Sequence, residues 1–222
     1  MRRSGRLEIW GRVGYEEAHA RQLRLVEQRR RDAIADTLIL CEHDPVITAG
    51  RAWRGSLPRD LPYPVRAIER GGELTYHGPG QLVGYPIFRL EGERHDLSRY
   101  LDSLQGALVG ALARLGVVAA GRTGAGARGV WVADRKIASI GVAVRHWVTY
   151  HGFALNVQVD PGVFTCIRPC GLDPAVMTSL HLVRPQMADM RLVTESVIES
   201  FAARFDLSFD LVGSPGSPIR HC

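Results

Sequence analysis

The chain has 222 residues, of which 45% are apolar and 23% are charged, values typical of ordinary globular proteins. No apolar run reaches the roughly 18 residues that a membrane span needs, and no unbroken apolar segment follows the basic start, so we expect no membrane association, no signal peptide and a cytoplasmic location. The net charge of +5 fits either a solvated arginine surface or an acidic macromolecular partner. Basic runs such as residues 29–31 lack the interleaved aromatic residues typical of nucleic-acid binding, so we expect no nucleic-acid partner.

The first half of the chain predicts several strands around one helix. Apolar residues at helical spacing after Tyr15 predict a helix that continues to about Asp36. The apolar run at residues 37–43 predicts a buried strand, which residues 46–50 continue, and the prolines within residues 51–64 indicate a loop. Further strands are predicted at residues 7–13, 65–69 and 82–88.

The second half contains the clearest helical pattern. Leucines from Leu97 to Leu115 recur every three or four residues, which predicts an amphipathic helix that begins near Asp96 or Ser98 and ends at Gly116. After it we predict a glycine-rich loop at 121–129, a hairpin that turns at Asp134–Arg135, a strand at 148–157, a helix around 187–205, a strand at 207–211 and a frayed tail at 214–222.

Strands and helices are mixed along the chain, with no internal repeat and no linker that would divide it. We therefore predict one domain, residues 1–213, of the α/β or α+β class, with a mixed β-sheet flanked by helices.

Glycine lies inside or beside three predicted strands, in RGGELTYHGPG, KIASIGV and YHGFALNV. A lone glycine in a strand marks a bulge or a close approach of another group to the backbone. Three such strands suggest one place where a ligand lies against the main chain, and apolar neighbours such as Ile140 and Phe153 suit an apolar ligand. His77 and His151 each precede a glycine, and either could donate a hydrogen bond, act as a base or simply satisfy the core.

The sequence has four cysteines, whose spacing indicates neither a disulfide framework nor a zinc site, and we expect no metal. Cys170, between Pro169 and Gly171, is the candidate nucleophile, although a buried inert thiol is the commoner role for a free cysteine. Of the 28 basic residues only Lys136 is a lysine. Unlike arginine, lysine can lose its proton, and its ammonium would lower the pKa of a nearby thiol.

Four segments together resemble the octanoyltransferases of lipoate biosynthesis: RGGELTYHGPGQLVGYP, KIASIGVAV, VTYHGFALNV, and PCGL followed by MTSL. EHDPVITAGR and GRVGYEEAHARQ match the same family more loosely, so the resemblance covers about residues 8–183. It departs in the loop GAGARGVW, which lacks an expected proline before GVW, and at Cys41, where an aliphatic residue is usual.

The resemblance implies the fold of the biotin and lipoate protein ligase catalytic domains. It also implies transfer of an octanoyl group from acyl carrier protein to a lysine on lipoyl domains of 2-oxoacid dehydrogenases or on the glycine-cleavage H protein, without ATP, metal or other cofactor. Acyl carrier proteins and lipoyl domains are generally acidic, which would give the basic surface a purpose.

The resemblance also implies roles for individual residues. Cys170 corresponds to the acyl-thioester nucleophile and Lys136 to the residue that lowers the pKa of its thiol. The substrate-binding positions correspond to Arg70, Gly71, Gly72, Glu73, Leu74, Thr75, Tyr76, His77, Ser139, Ile140, Gly141, Gly152, Phe153 and Ala154. At Glu73 and Leu74 we expect the backbone, and not the side chain, to bind the substrate.

Two alternatives remain at this point. An ATP-dependent lipoate or biotin ligase of the same fold would also use a glycine-rich segment and a lysine, but it needs no cysteine nucleophile. A non-catalytic module that binds acyl groups or carrier proteins would need neither Cys170 nor Lys136.

Overall fold

The structure is a computed structural model that describes residues 2–58, 60–124 and 126–212, apart from the side chains of Glu93 and Cys170. The predicted tail, residues 214–222, therefore lies outside the described residues. The strands within these ranges are β1 (Arg3–Val13), β2 (Thr37–His43), β3 (Val46–Ala49), β4 (Val65–Ala67), β5 (Leu74–His77), β6 (Gln81–Ile87), β7 (Ala120–Arg122), β8 (Gly129–Val132), β9 (Arg135–Arg145), β10 (Val148–Asn156) and β11 (Leu207–Leu211).

Eight of these strands form one mixed sheet in the order β11-β1-β2-β6-β10-β9-β8-β7. Strand β1 runs parallel to both of its neighbours, β11 and β2, whereas the remaining pairs of this sheet are antiparallel. The predicted mixed sheet is confirmed.

Helices cover both faces of this sheet. They are α1 (Tyr15–Arg30), α2 (Leu97–Arg114), α3 (Leu180–Val183) and α4 (Met190–Phe205). Helix α2 packs with α4 over one face, where Leu104, Leu108 and Phe201 are fully buried, and α1 covers the other face with Ala18 and Val26. Each buried leucine or phenylalanine contributes about 1.5–3 kcal/mol relative to an exposed one, so the leucine stripe fixes α2 against the sheet.

The first turn of α2 departs from the predicted apolar stripe. The Asp96 carboxylate accepts hydrogen bonds from the backbone N–H groups of Ser98 and Arg99, which makes Asp96 the N-cap. Leu97 remains 39% exposed, and it lines a cleft together with Leu101. The beginning of the stripe therefore faces a cleft and not the core.

A second sheet of three strands, in the order β4-β3-β5, corrects the prediction that residues 46–50 continue strand β2. After Asp44-Pro45 the chain leaves the large sheet, and β3 pairs with β4 in parallel and with β5 in antiparallel register. The alternation of residues reveals a strand but not its partners, so the sequence did not show this change of sheet.

Helix α1 ends at Arg30, and the prediction that it continues to Asp36 is wrong. Asp32 has a positive φ of 56°, which breaks the helix. The Asp36 carboxylate, almost fully buried, then binds the Arg29 guanidinium at 2.8 Å and accepts the backbone N–H of Arg89 at 2.9 Å. This buried ion pair holds the chain where it enters β2.

Smaller corrections concern the later elements. The hairpin between β8 and β9 turns at Ala133–Asp134, one residue earlier than predicted, because Ala133 adopts a left-handed φ of 47°. The predicted loop at 121–129 begins inside the short edge strand β7. Helix α4 begins at Met190, because the Asp189 carboxylate caps it through the Leu192 N–H.

Candidate active site

Arg70 organises the glycine-rich segment from within. Its guanidinium is buried and donates hydrogen bonds to the carbonyl oxygens of Gly71, Glu73 and Thr48 at 2.8–2.9 Å. The same group donates to the Thr48 hydroxyl at 2.9 Å. Arg70 thus folds residues 70–73 around its own side chain and joins them to β3.

Neighbouring protein atoms leave no room for a side chain at two of the strand glycines. A β-carbon at Gly152 would lie 2.2 Å from the Gly84 carbonyl oxygen, and one at Gly141 would lie 3.0 Å from both Arg70 Cδ and the Gly71 carbonyl oxygen. Gly141 and Gly152 are also direct partners in the β9–β10 ladder. Both glycines line a cavity as well, so the expectation that a ligand approaches the main chain there remains a prediction.

Two adjoining cavities divide the predicted substrate-binding residues between them. The smaller, of about 30 Å³, is enclosed by Arg70, Thr75, His77, Ser139, Gly152, Phe153 and Ala154, together with Tyr15, Tyr85 and His151. The wider, a cleft of about 420 Å³, is lined by Gly71, Gly72 and Glu73, by Leu97 and Leu101 of α2, and by Gly124, Gly126 and Arg128.

Ile140 and Gly141 line both cavities, which therefore both border the middle of β9. The smaller has room for only about two water molecules, since one needs roughly 10–15 Å³ in this measure. The wider falls within the usual range for small-molecule sites. Leu74 and Tyr76 line neither cavity, and both are buried in the core of the small sheet.

A chain of buried hydrogen bonds leads from His77 across the site. His77 Nδ1 lies 2.8 Å from Gln81 Oε1, and Gln81 Nε2 donates to Asn156 Oδ1 at 2.9 Å. Asn156 Nδ2 donates to the Thr178 carbonyl oxygen at 2.8 Å. Because the Gln81 oxygen only accepts, Nδ1 of His77 carries the proton and Nε2 is left as an acceptor.

The His77 imidazole is held in its neutral form. Burial, and then the positive charges of His43 and Arg70, lower the pKa of His77 to about 3. Its Nε2 lies 3.4 Å from the Thr48 hydroxyl, which itself accepts from Arg70. His77 therefore presents an acceptor at neutral pH and cannot supply a positive charge there.

Lys136 is almost completely buried, with 2% of its surface exposed. Its Nζ donates to the Gly126 carbonyl oxygen at 3.0 Å and lies 5.9 Å from the centroid of the Trp131 ring. Burying an ammonium is costly unless polar groups compensate, so this placement indicates a specific role. Gly126 also lines the wider cleft, which brings the lysine to its edge.

The Pro169-Cys170-Gly171 segment forms a short 3-10 helix that contacts β5. Gly171 has a φ of +75°, a conformation that favours glycine, and a β-carbon built on it would lie 3.4 Å from Glu73 Oε2. The turn therefore lies beside the Glu73 carboxylate, whereas we had expected only the backbone of Glu73 to matter. That backbone is used as well, since the Glu73 carbonyl oxygen accepts from Arg70 and from the Gly50 N–H.

The segment after this turn is joined to the lysine strand. Met177 forms a parallel bridge with Lys136, and the Thr178 N–H donates to the Lys136 carbonyl oxygen at 3.0 Å. The segment that follows the cysteine turn is thus joined to β9 at Lys136. That Lys136 reaches the Cys170 thiol remains a prediction.

The two cysteines whose side chains the structure describes are both free, and both environments disfavour the thiolate. Burial, and then the negative charge of Glu42, raise the pKa of Cys41 far above its usual range. Burial also raises the pKa of Cys166, whose Sγ donates to the Val163 carbonyl oxygen. Neither thiol is therefore activated as a nucleophile.

Sequence reasoning did not single out several residues of the site, notably Thr48, Gln81 and Asn156. Thr48 is the polar residue of β3 (VITA), Gln81 begins β6 (QLVGYPI), and Asn156 ends the apolar second half of β10 (VTYHGFALN). Since buried polar groups almost always have hydrogen-bond partners, that pattern was the available signal for a buried network.

The chain is similar to known proteins along most of its length. A family model described as the lipoyl protein ligase A/B catalytic domain matches residues 14–202. The octanoyltransferase of Syntrophotalea carbinolica is 43% identical over 191 residues, which are 86% of this chain and 90% of that protein. The sequence resemblance to octanoyltransferases is confirmed.

Solved structures show the same fold at low identity. A lipoate-protein ligase A bound with ATP superposes with a TM-score of 0.76 at 15% identity, over 96% of this chain and 90% of the ligase. The biotin protein ligase from Aquifex aeolicus in complex with biotin and ATP gives a TM-score of 0.56 at 13% identity, over 90% of this chain and 70% of the ligase. These likenesses confirm the predicted fold class, and the matched residues and relatives show that the chain belongs to the lipoyl protein ligase A/B catalytic-domain family.

Proposed function

We propose that this chain is an octanoyltransferase, which moves an octanoyl group from acyl carrier protein to a lysine of a lipoyl domain through a thioester on Cys170. The observation that carries the proposal is the buried position of its lone lysine, on a strand bridged to the segment that follows the Pro169–Gly171 turn. The 43% identity to a protein named octanoyltransferase supports the same reaction.

The transfer takes place in two chemical steps. In the first, the Cys170 thiolate attacks the carrier thioester carbonyl, the new C–S bond forms, and the carrier leaves as a thiolate that takes up a proton. In the second, the amine of the acceptor lysine attacks the Cys170 thioester, the C–N bond forms, and the cysteine thiolate leaves. The proton lost by the amine must be accepted within the site.

Lys136 is the group that we assign to these proton movements. Its ammonium would favour the Cys170 thiolate before attack, because a nearby positive charge lowers the pKa of a thiol. As an exchangeable amine it would give a proton to the departing carrier thiolate and take one from the incoming amine. The low exposure of Lys136 supports this role, because water does not compete there for the proton.

We assign the octanoyl chain to the region of Ile140 and Gly141, the residues that line both cavities. The small cavity alone is too narrow for eight carbons, whereas the adjoining cleft provides apolar walls from Leu97, Leu101 and Val142. The Arg70–His77 segment, Ser139 and the Gly152–Ala154 segment would then shape the end of the site without each touching the acyl chain.

The proposed partners are acidic proteins. The net charge of +5 is suited to an acyl carrier protein as donor and to lipoyl domains of 2-oxoacid dehydrogenases or the glycine-cleavage H protein as acceptors. No helix among residues 2–58, 60–124 and 126–212 has the length and apolar character to cross a membrane. A cytoplasmic location, and a transfer reaction that needs no nucleic acid, metal or nucleotide, remain parts of the proposal.

The experiment mixes the chain with octanoyl-carrier protein and an apo lipoyl domain in the absence of nucleotide. We expect octanoylation of the domain, and with donor alone we expect one octanoyl group on Cys170 by peptide mapping. Cys170→Ala should lose this adduct, and Cys166→Ala should keep it. A strict need for ATP would indicate a ligase, an adduct on Cys166 would overturn the assignment of the nucleophile, and binding without transfer would indicate a non-catalytic module.

A further inference from the structure

We propose that His19, Glu69 and His151 form a binding site for one divalent transition-metal ion of the zinc type. The site lies on α1, on the loop before Arg70 and on β10, next to the smaller cavity. None of the three residues is assigned to acyl transfer above, so the inference stands independently of the proposed function.

The three ligand atoms converge. Glu69 Oε2 lies 3.1 Å from His19 Nε2 and 3.4 Å from His151 Nε2, and all three atoms lie within 4.8 Å of one another. In a tetrahedral zinc site with bonds of about 2.0–2.2 Å, neighbouring ligand atoms stand roughly 3.3 Å apart. Two of the three separations already match this spacing, and the third is at most 4.8 Å.

Hydrogen bonding among the three side chains does not account for the arrangement. His19 Nε2 is a buried atom that makes no hydrogen bond, although the Glu69 carboxylate is only 3.1 Å away, because the two groups are not aligned. The contact from His151 Nε2 to Glu69 Oε2, at 3.4 Å, is longer than a good hydrogen bond. A cation placed between the three atoms would bind the lone pairs of the two imidazole nitrogens and the carboxylate oxygen, which are poorly aligned for hydrogen bonds with one another.

The two histidines are held in place before any ion binds. Their rings stack with centroids 5.4 Å apart and planes inclined by 19°. His151 adopts a φ of +55°, which few residues with a side chain do, and its backbone N–H donates to Gln22 Oε1 at 2.9 Å. The chain therefore accepts an unfavourable backbone conformation at the residue that aims this imidazole at Glu69.

Charge acts in both directions at this site. The carboxylate of Glu69 supplies an acidic ligand, and the neutral form of an imidazole is the form that binds a metal ion. The fixed positive charge of Arg70, the next residue along the chain, works against a bound cation, and we therefore expect a weaker affinity than that of a structural zinc site.

Two imidazoles and one carboxylate are a ligand set that zinc uses with a water molecule in the fourth position. His151 and the buried Tyr15 hydroxyl, which makes no hydrogen bond, line the same small cavity. A water molecule in this small cavity would occupy the fourth coordination position. Because the three ligands come from separate segments of the chain, a bound ion would cross-link them and stabilise the fold.

The test uses Co²⁺ as a spectroscopic probe. The full chain carries Cys166→Ser, Cys170→Ala and Cys222→Ser, which removes the thiols that would compete for the metal and leaves the buried Cys41. We expect one Co²⁺ per chain, with visible d–d absorption of a tetrahedral site, no thiolate charge-transfer band, and displacement by Zn²⁺. Zn²⁺ at 100 times its Kd should raise Tm by about 5 °C or more.

The ligand variants provide the controls. His19→Ala and Glu69→Gln should each weaken Co²⁺ binding by about tenfold or more and remove the Zn²⁺-dependent rise in Tm. His95→Ala, which changes an exposed histidine, should retain both. Circular dichroism and Tm without metal show that each variant is folded. An absence of stoichiometric Co²⁺ binding, or unchanged binding in both ligand variants, would overturn the site.

Discussion

The side chain of Lys136 lies directly against Gly129. A β-carbon at Gly129 would lie 2.7 Å from Lys136 Cε and 2.2 Å from the Ala138 carbonyl oxygen, both closer than the 3.0 Å below which real β-carbons essentially never come. The absence of a side chain at Gly129 therefore creates the space through which the buried lysine reaches Gly126.

Gly129→Ala should consequently displace Lys136 and slow octanoyl transfer by about tenfold or more, because the lysine is proposed to move the protons of both steps. The backbone at Gly129, with a φ of +151°, would also be strained, which lowers the free energy of unfolding by about 1–3 kcal/mol. Single-turnover transfer and urea denaturation measure the two effects.

Gly14→Ala is the matched control, since nothing lies within 4 Å of a β-carbon at that position. It should keep both normal transfer and normal stability. A Gly129→Ala variant that transfers octanoyl at the normal rate would show that the position of Lys136 is unimportant.

The second prediction distinguishes charge from proton exchange at Lys136. Lys136→Arg keeps a positive charge but cannot release a proton, so we expect it to fail in transfer. Lys136→Ala should also fail, and it should raise the pKa of the Cys170 thiol toward its free value of about 8.5. The pH dependence of Cys170 alkylation in the three proteins measures the second effect.

Full transfer by Lys136→Arg would reduce the role of the lysine to charge alone. An alkylation midpoint that is the same in all three proteins would mean that Lys136 does not act on the thiol.

A third prediction concerns Glu73, whose carboxylate oxygen would lie 3.4 Å from a β-carbon at Gly171. A negative charge next to the cysteine turn opposes formation of the thiolate. Glu73→Gln should therefore lower the alkylation midpoint of Cys170 by about half a pH unit, the size of effect expected when a carboxylate near a thiol in a partly solvated site is removed. Glu195→Gln, on α4 and far along the chain, should leave the midpoint unchanged, and a shift upward in Glu73→Gln would contradict the argument.

The fourth prediction follows from the low pKa of His77, which is about 3 because the ring is buried and lies near His43 and Arg70. In the unfolded chain histidine takes up a proton near pH 6.5, whereas in the folded protein His77 stays neutral until the pH is far lower. Protonation therefore favours the unfolded state, and the stability is fully present above about pH 6.5 and lost as the pH falls toward 3.

Between pH 6.5 and pH 5 this one group should remove about 2 kcal/mol from the free energy of unfolding. His77→Gln should show a correspondingly shallower pH dependence in urea denaturation, although its stability at pH 7 is expected to be lower. His95→Gln, at an exposed position, should retain the steep dependence. Equal slopes in all three proteins would mean that His77 is accessible to protons in the folded state.

The sequence predicted those parts of the fold that depend on local patterns. The leucine spacing correctly predicted α2, whose middle and end are buried as the spacing requires. The alternating and apolar runs correctly predicted β2, β6, β9 and β10. What the patterns could not show was which strands pair. Strand β3 follows β2 after only Asp44-Pro45, yet it belongs to another sheet.

The candidate site was predicted from its motifs and from the single lysine of the chain. The buried polar residues that support it were not predicted. Thr48, Gln81 and Asn156 are polar residues, each with at least one partner that lies 22 to 75 positions away in the sequence. The sequence also could not show the packing at the strand glycines, where the atoms that exclude a side chain at Gly152 belong to Gly84 and Pro86. Such contacts depend on the packing of distant segments, which no local pattern records.

The parallel pairing of β1 with β11 has a consequence for the newly synthesised chain. Arg3 pairs with Leu207, so one of the two neighbours of β1 is synthesised about 200 residues after β1 itself. Until then one edge of β1 presents unpaired N–H and C=O groups, which can pair with other chains. The interval between synthesis of β1 and of β11 is therefore when this protein is most exposed to aggregation, and slowing translation of the C-terminal third should lower its soluble yield.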